Sequence, residues 1–228
     1  MKKVDFDDYQ KTYNELLRNQ VRFFDKNDAY FAEYKVKILK KLARKRPQRI
    51  LEYGCGVGRN LGFLRKHFPG SEIYGCDISG KSLESAAKEH TGTRLFALGK
   101  DDITKKFDLI FVANVMHHIA PELRLTALRD IDRMLEENGS LFIFEHNPYN
   151  PVTRHLVNTC PFDEDAVLVK PAELKSLLSA AGMHVKLVHY TLFFPVFLKW
   201  LRFLEAFLVK VPMGGQYFVY ARKKGAAS

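Results

Sequence analysis

Cysteine is scarce in this chain. Three in 228 residues cannot build a disulfide framework, and reduced thiols in a cytosol are the simpler expectation. No stretch of about 18 uninterrupted apolar residues occurs, so no membrane-spanning helix is expected. The first eight residues, Met1 to Asp8, lack the apolar run of a leader peptide. There are no internal repeats and no low-complexity segments. An apolar share of 46% and a charged share of 27% are those of an ordinary globular protein, and 228 residues suffice for a substantial core.

Acidic residues are missing altogether between positions 35 and 49. That stretch carries Lys35, Lys37, Lys40, Lys41, Arg44, Lys45, Arg46 and Arg49, and the tail adds Arg222, Lys223 and Lys224. These eleven cations account for the whole net charge of +10, so the rest of the chain is close to neutral. A solvated helix face with a basic tail explains them, and an anionic partner or anionic membrane surface would use them.

Glycine is concentrated where it matters. Ile50-Leu51-Glu52-Tyr53-Gly54-Cys55-Gly56-Val57-Gly58-Arg59 reads as a buried strand running into a tight turn. Glycine reaches positive φ and has no Cβ to block a ligand, so the turn suits close backbone approach. A helix follows near Asn60, which would direct backbone N–H groups at the ligand. Ile73-Tyr74-Gly75-Cys76-Asp77 reads as a second strand ending in an acid, 19 residues beyond Gly58. A doubly wound sheet places a carboxylate on a ribose diol at about that offset.

Glu52-x-Gly54-x-Gly56-x-Gly58 with Asp77 resembles the class I S-adenosylmethionine-dependent methyltransferases. The nicotinamide fingerprint Gly-x-Gly-x-x-Gly fits less well, because the third glycine here comes one position early. The likeness runs from about Tyr30 to Lys223. It implies an α/β Rossmann-like doubly wound sheet, mostly parallel and seven-stranded with an antiparallel last strand, helices on both faces and an N-terminal helical cap.

Periodicity places the elements. Helices are expected at 6–24, at 29–45 with Asn27-Asp28 as cap, at 60–67, 81–90, 121–137 and 171–181, and over the strongly apolar 195–210. Besides the two strands of the motif, strands are expected at 94–98, 107–114, 140–145, 184–190 and 215–223. Residues 147–165 show no clear period and read as a long loop or insert, a length that is usually functional. One domain, 1–228, is expected: N-terminal helices 1–46, a cofactor core 47–146, and substrate-side insertions at 147–165 and 193–211.

The resemblance makes S-adenosylmethionine the cofactor and S-adenosylhomocysteine the product. The turn of Gly54, Cys55, Gly56 and Gly58 would offer backbone N–H groups to its amino-acid end, with Glu52 steadying the turn. Asp77 would meet its diol and Ile78 an adenine face. Asp101 is taken for the adenine amino group, and Asn114 and Val115 fall at the open strand edge. Methyl transfer is an in-line displacement, and a hydroxyl or ammonium nucleophile needs a base of near-neutral pKa. Histidine suits that role, so His146 and His118 are the catalytic candidates, although a structural cap explains the His117-His118 pair as well. No metal set is expected: Asp163-Glu164-Asp165 reads as a solvated turn lacking a histidine at ligand spacing.

The acceptor is expected to be small or lipid-like and methylated on oxygen, with cytoplasmic location. RNA or protein as substrate, and a catalytically silent binding or scaffold module, are the alternatives. After the fourth strand stands Asn114-Val115-Met116-His117 rather than an Asn-Pro-Pro-Tyr motif, which makes nucleic acid the weaker partner. Residues 193–211 are too apolar for an exposed helix and too short to span a bilayer. A lid, a homodimer interface, an apolar-acceptor site and a peripheral membrane contact all remain open for them.

Overall fold

Seven strands form one sheet in the order β3-β2-β1-β4-β5-β7-β6. The computed structural model describes residues 29–43 and 46–223. The helix expected at 6–24 and the cap at Asn27-Asp28 lie outside them. The strands are β1 (Arg49–Tyr53), β2 (Glu72–Asp77), β3 (Arg94–Ala97), β4 (Phe107–Ala113), β5 (Leu135–His146), β6 (Met183–Thr191) and β7 (Gln216–Lys223). The first five pair in parallel, whereas β7 runs antiparallel to both β5 and β6. This is the mostly parallel sheet with an antiparallel last strand that the sequence implied.

Alternation within each strand divides the core between two faces. Ile50, Ile73, Leu109, Phe111, Phe142 and Phe144 point to one side, against α1 (Ala29–Leu42), α2 (Leu61–His67) and α3 (Gly80–Glu89). Leu51, Tyr74, Ile110, Val112, Leu141 and Ile143 point to the other, against α4 (Arg124–Met134) and α6 (Pro171–Ala180). Strands covered on both faces must be apolar on both, which is why β4 reads as a nearly unbroken apolar run. Aromatic pairs tie β5 to its neighbours: Phe111 meets Phe144 edge-on at 5.7 Å, and Phe142 stacks on Tyr220 at 4.6 Å.

Three expectations are corrected. The helix expected to reach residue 137 stops at Met134, and β5 begins at Leu135. Asn138, at φ 62°, sits where the β4–β5 register shifts, so Asn138-Gly139 marks an irregularity in the strand rather than a helix stop. The insert is not a loop throughout, since Pro151–Asn158 forms helix α5, with Pro151 in its first turn and the Asn150 side chain accepting a hydrogen bond from Thr153 N at 2.9 Å. Finally, 195–210 is mainly a 3₁₀ segment, Val196–Leu204, kinked at Leu198 and followed by the short α7 (Glu205–Leu208).

Candidate functional site

The connections after β1, β2, β4 and β5 emerge at the carboxyl edge of the sheet. The chain reverses strand order between β1 and β4, so a crevice opens there. Gly54 and Gly56 have φ of 72° and 52° in the turn after β1. A Cβ on Gly54 would come within 2.4 Å of a Val115 methyl, while one on Gly56 would meet nothing within 4 Å. Backbone N–H groups expected to face a ligand are spent within the chain. Gly54 N and Cys55 N donate to Cys76 O at 2.8 and 3.0 Å, and Gly58 N to Cys55 O at 2.9 Å. Gly56 N donates to Asp77 Oδ2 at 2.8 Å and Ser79 N to Asp77 Oδ1 at 2.9 Å. Asp77 therefore braces the turn, and a carboxylate with about four acceptor positions keeps capacity for a diol.

Glu52 lies buried beneath this turn. Its Oε1 accepts from Asn60 Nδ2 at 2.5 Å, and its Oε2, buried, has no hydrogen-bond partner. Burial pushes its pKa up to about 8, against Asn60 and the charge of Lys35. Lys35, on α1, is itself buried and falls to about 8 through burial and the charge of Arg59, opposed by Glu52 and Glu145. Lys35 is thus not part of a solvated face. The signal was present: positions 31, 32, 35, 36 and 39 form the buried stripe of α1, and Lys35 stands on it.

Ile78 is 62% exposed next to Asp77. Asp101 closes the turn after β3, accepting from Ala97 N at 2.7 Å. Asn114 has φ of 57°, donates its N–H to Phe144 O and accepts from Gln216 Nε2 at 3.3 Å. Cys55, Cys76 and Cys160 are buried free thiols, and burial raises Cys76 to about 12.

A second cluster gathers at the ends of β4 and β5. Glu145, fully buried, accepts from Val115 N (3.1 Å) and Met116 N (2.8 Å), and its Oε2 lies 2.6 Å from His117 Nδ1. Burial works against a charged His117, but Glu145 and Asp163 outweigh it and hold it at about 9. Burial and the His117 charge lower His146 to about 4, and its ring lies 5.1 Å from that of His117. His118 Nε2 is 3.3 Å from Asp163 Oδ1, and its Nδ1 is 3.7 Å from Asp165 Oδ1.

The expected solvated turn at 163–165 is therefore wrong, because Asp163 is buried against both histidines. Its partners are 45 residues away in sequence, beyond any local spacing rule. Buried Arg124 fixes this arrangement by donating to Met116 O, Ile119 O and Val167 O and pairing with Glu173 at 2.7 Å, while Val167 N donates to His117 O.

The insert is also tied to the far side of the crevice. Asn147 Nδ2 donates to Pro212 O and Gly214 O, Asn150 Nδ2 to Met213 O, and Thr153 Oγ1 to Gly215 O. Glu205 is buried and accepts from Tyr34 Oη, Phe193 N and Phe194 N. Phe197, Trp200, Phe203 and Phe207 stand 65%, 68%, 67% and 81% exposed. In a 3₁₀ turn residues three apart eclipse, which aligns Trp200 with Phe203 beyond the kink at Leu198.

A methyltransferase-domain family model matches residues 51–141. The malonyl-[acyl-carrier protein] O-methyltransferase of Legionella pneumophila is 33% identical over 108 residues, 45% of this chain and 37% of that protein. A human tRNA N(3)-cytidine methyltransferase is 28% identical over 115 residues, 45% of this chain and 30% of that protein. The matches thus span well under half the length of these curated relatives. In fold, a crystal structure of an S-adenosylmethionine-dependent methyltransferase from Archaeoglobus fulgidus superposes with a TM-score of 0.69 at 18% identity, covering 92% of this chain and 100% of that one. No helix among the described residues is long and apolar enough to cross a membrane. With the glycine turn, the strand-end acid and the seven-stranded sheet, these likenesses identify residues 51–141 as a methyltransferase domain and support a class I S-adenosylmethionine-dependent methyltransferase that uses S-adenosylmethionine.

Proposed function

We propose that this chain, as one catalytic domain, transfers a methyl group to a small or lipid-like acceptor, on oxygen, in the cytoplasm. The observation that carries the acceptor reading is the exposed set Phe197, Trp200, Phe203 and Phe207, on a segment that runs on into residues 212–214, which are bonded to the insert after β5. Isolated exposed apolar residues are ordinary, but four large aromatics on one short segment suit an acyl or other apolar group.

The residues present fit the cofactor. The partnerless buried Oε2 of Glu52 suits the ammonium of its amino-acid end, and Asp77, fixed by two backbone donors, suits the ribose diol. Ile78 covers an adenine face, Asp101 borders that end, and Asn114 and Val115 wall the crevice above Gly54. The cofactor supplies a methyl already activated on a sulfonium, so alignment accounts for much of the rate. His146, kept neutral because burial and the His117 charge hold its pKa at about 4, accepts the acceptor's hydrogen bond on a ring nitrogen and orients it, and is a weaker base than an ordinary histidine. His118 is held between Asp163 and Asp165 and contributes to the walls rather than as the base.

The basic residues give an RNA acceptor less support than their number suggests. Lys35 is buried, Arg49 pairs with Glu136 at 2.7 Å, and Arg222 and Lys223 donate to backbone carbonyls of residues 132–138. Incubation with methyl-labelled S-adenosylmethionine and a panel of acyl carboxylates, hydroxylated lipids, tRNA and protein tests the proposal. Label is expected in an acyl or hydroxylated acceptor, with an ester or ether product. Label confined to RNA or protein would overturn it.

A further inference from the structure

We propose that His117, His118 and Asp163 form a binding site for a divalent transition-metal ion of the zinc class. One donor atom from each lies within 4.8 Å of the other two. Asp163 Oδ1 stands 3.3 Å from His118 Nε2 and 3.6 Å from His117 Nε2. The longer distance exceeds a hydrogen bond. Two ligand atoms that are each about 2.0–2.1 Å from a tetrahedral zinc lie roughly 3.3–3.4 Å apart, which is near both spacings.

The opposite nitrogen of His117 carries the arrangement that metal-binding histidines ordinarily have. Its Nδ1 is 2.6 Å from Glu145 Oε2, whereas His118 Nδ1 lies 3.7 Å from Asp165 Oδ1, beyond a hydrogen bond. The Glu145 carboxylate on Nδ1 leaves Nε2 of His117 as the lone-pair donor and orients that ring, as in carboxylate–histidine–zinc triads. The ligands are also held from both sides. Glu145 fixes Val115 and Met116, and Arg124 with Val167 clamps the 163–167 stretch over His117. His117 and Asp163 are almost fully covered, while the His118 side chain retains 14% exposure, giving a route in.

Three carboxylates, of Glu145, Asp163 and Asp165, face two imidazoles here, so a dication on neutral rings leaves a small net charge. Imidazole and carboxylate donors suit zinc and its neighbours more than calcium or magnesium, which prefer oxygen alone. Three protein ligands leave the fourth tetrahedral position to water or to an acceptor oxygen. The His146 ring lies 5.1 Å from that of His117, which puts this position in the neighbourhood of the proposed acceptor side.

The test is calorimetric titration of chelator-stripped, full-length protein with zinc sulfate, with metal content measured after dialysis. A single equivalent, bound below micromolar, is expected. His118→Gln and Asp163→Asn should abolish it, Glu145→Gln should weaken it about 10- to 100-fold by loosening His117, and Glu164→Gln should leave it unchanged. Cobalt(II) added to the unaltered protein should give the strong visible bands of tetrahedral coordination, a readout that needs no variant to fold. Absence of saturable zinc binding together with an octahedral cobalt spectrum would overturn the site, as would an equivalent retained in both ligand variants.

Discussion

Glu52 combines two properties that oppose each other in the free protein: it is buried, and one of its oxygens lacks a partner. Its folded-state pKa of about 8 lies above the ordinary 4.5. Between those values the unfolded chain ionises and the folded chain stays protonated, so this group's contribution to stability falls as pH rises from 4.5 through 8. Lys35 works the other way, with a penalty present below about 8 and relieved towards its ordinary 10.5. Lys35, Asn60 and Asp77 are the groups that face Glu52. Glu52→Gln should flatten the fall in thermal melts across the lower window. It should also weaken cofactor binding by about 1.5–3 kcal/mol, the worth of a charged hydrogen bond. Gly56→Ala should cost about 1–2 kcal/mol in chemical denaturation, from its left-handed backbone with no clash, and Gly54→Ala more because Val115 blocks the new methyl. The glycines and Asp77 were legible because their requirement is local backbone geometry. Lys35 was not, since a lysine in a basic run reads as solvated until the buried stripe of α1 is traced through it.

At the scale of elements, the insert and the aromatic segment behave as one unit. Asn147 and Asn150 bond residues 212–214, so α5 is fastened to the chain just beyond the aromatic segment. Asn147→Ala leaves buried carbonyls without donors, and it should cost about 1–3 kcal/mol of stability while raising the KM for acceptor more than that for cofactor. Trp200→Ser should change stability by no more than about 0.5 kcal/mol, since the side chain is largely exposed, yet raise the acceptor KM several-fold. A liposome-pelleting assay separates bilayer contact from soluble acceptor binding: retention on anionic vesicles that Trp200→Ser abolishes is expected if these aromatics meet a membrane, and equal recovery with and without lipid removes that role. The sequence marked both segments as departures from simple alternation without saying how they meet. Asn-Pro-Tyr-Asn-Pro looks like loop chemistry until its amides find carbonyls more than sixty residues away. The burial of Glu205 is of the same kind, because its partners Tyr34 and Phe193 come from different parts of the chain.

For the molecule as a whole, the fold was the most legible part. Strand and helix periods, doubly apolar strands and the strand-end acid specify a parallel sheet with a crevice at the β1–β4 reversal. The antiparallel direction of β7 came from family likeness, since nothing in its period distinguishes direction, while its place between β5 and β6 is seen only in the structure. The proposed acceptor side stayed illegible because the insert, α1 and the segment after β6 are held by long-range contacts. The cofactor is proposed to lie at the glycine turn, held by Glu52 and Asp77. Calorimetric titration of the full-length protein with S-adenosylmethionine and S-adenosylhomocysteine tests that most directly. Saturable binding of both is expected, weakened in Asp77→Ala by a few kcal/mol, with each charged hydrogen bond to the diol worth roughly 1.5–3 kcal/mol. Absence of heat from either ligand at high micromolar concentration, or unchanged affinity in Asp77→Ala, would contradict it.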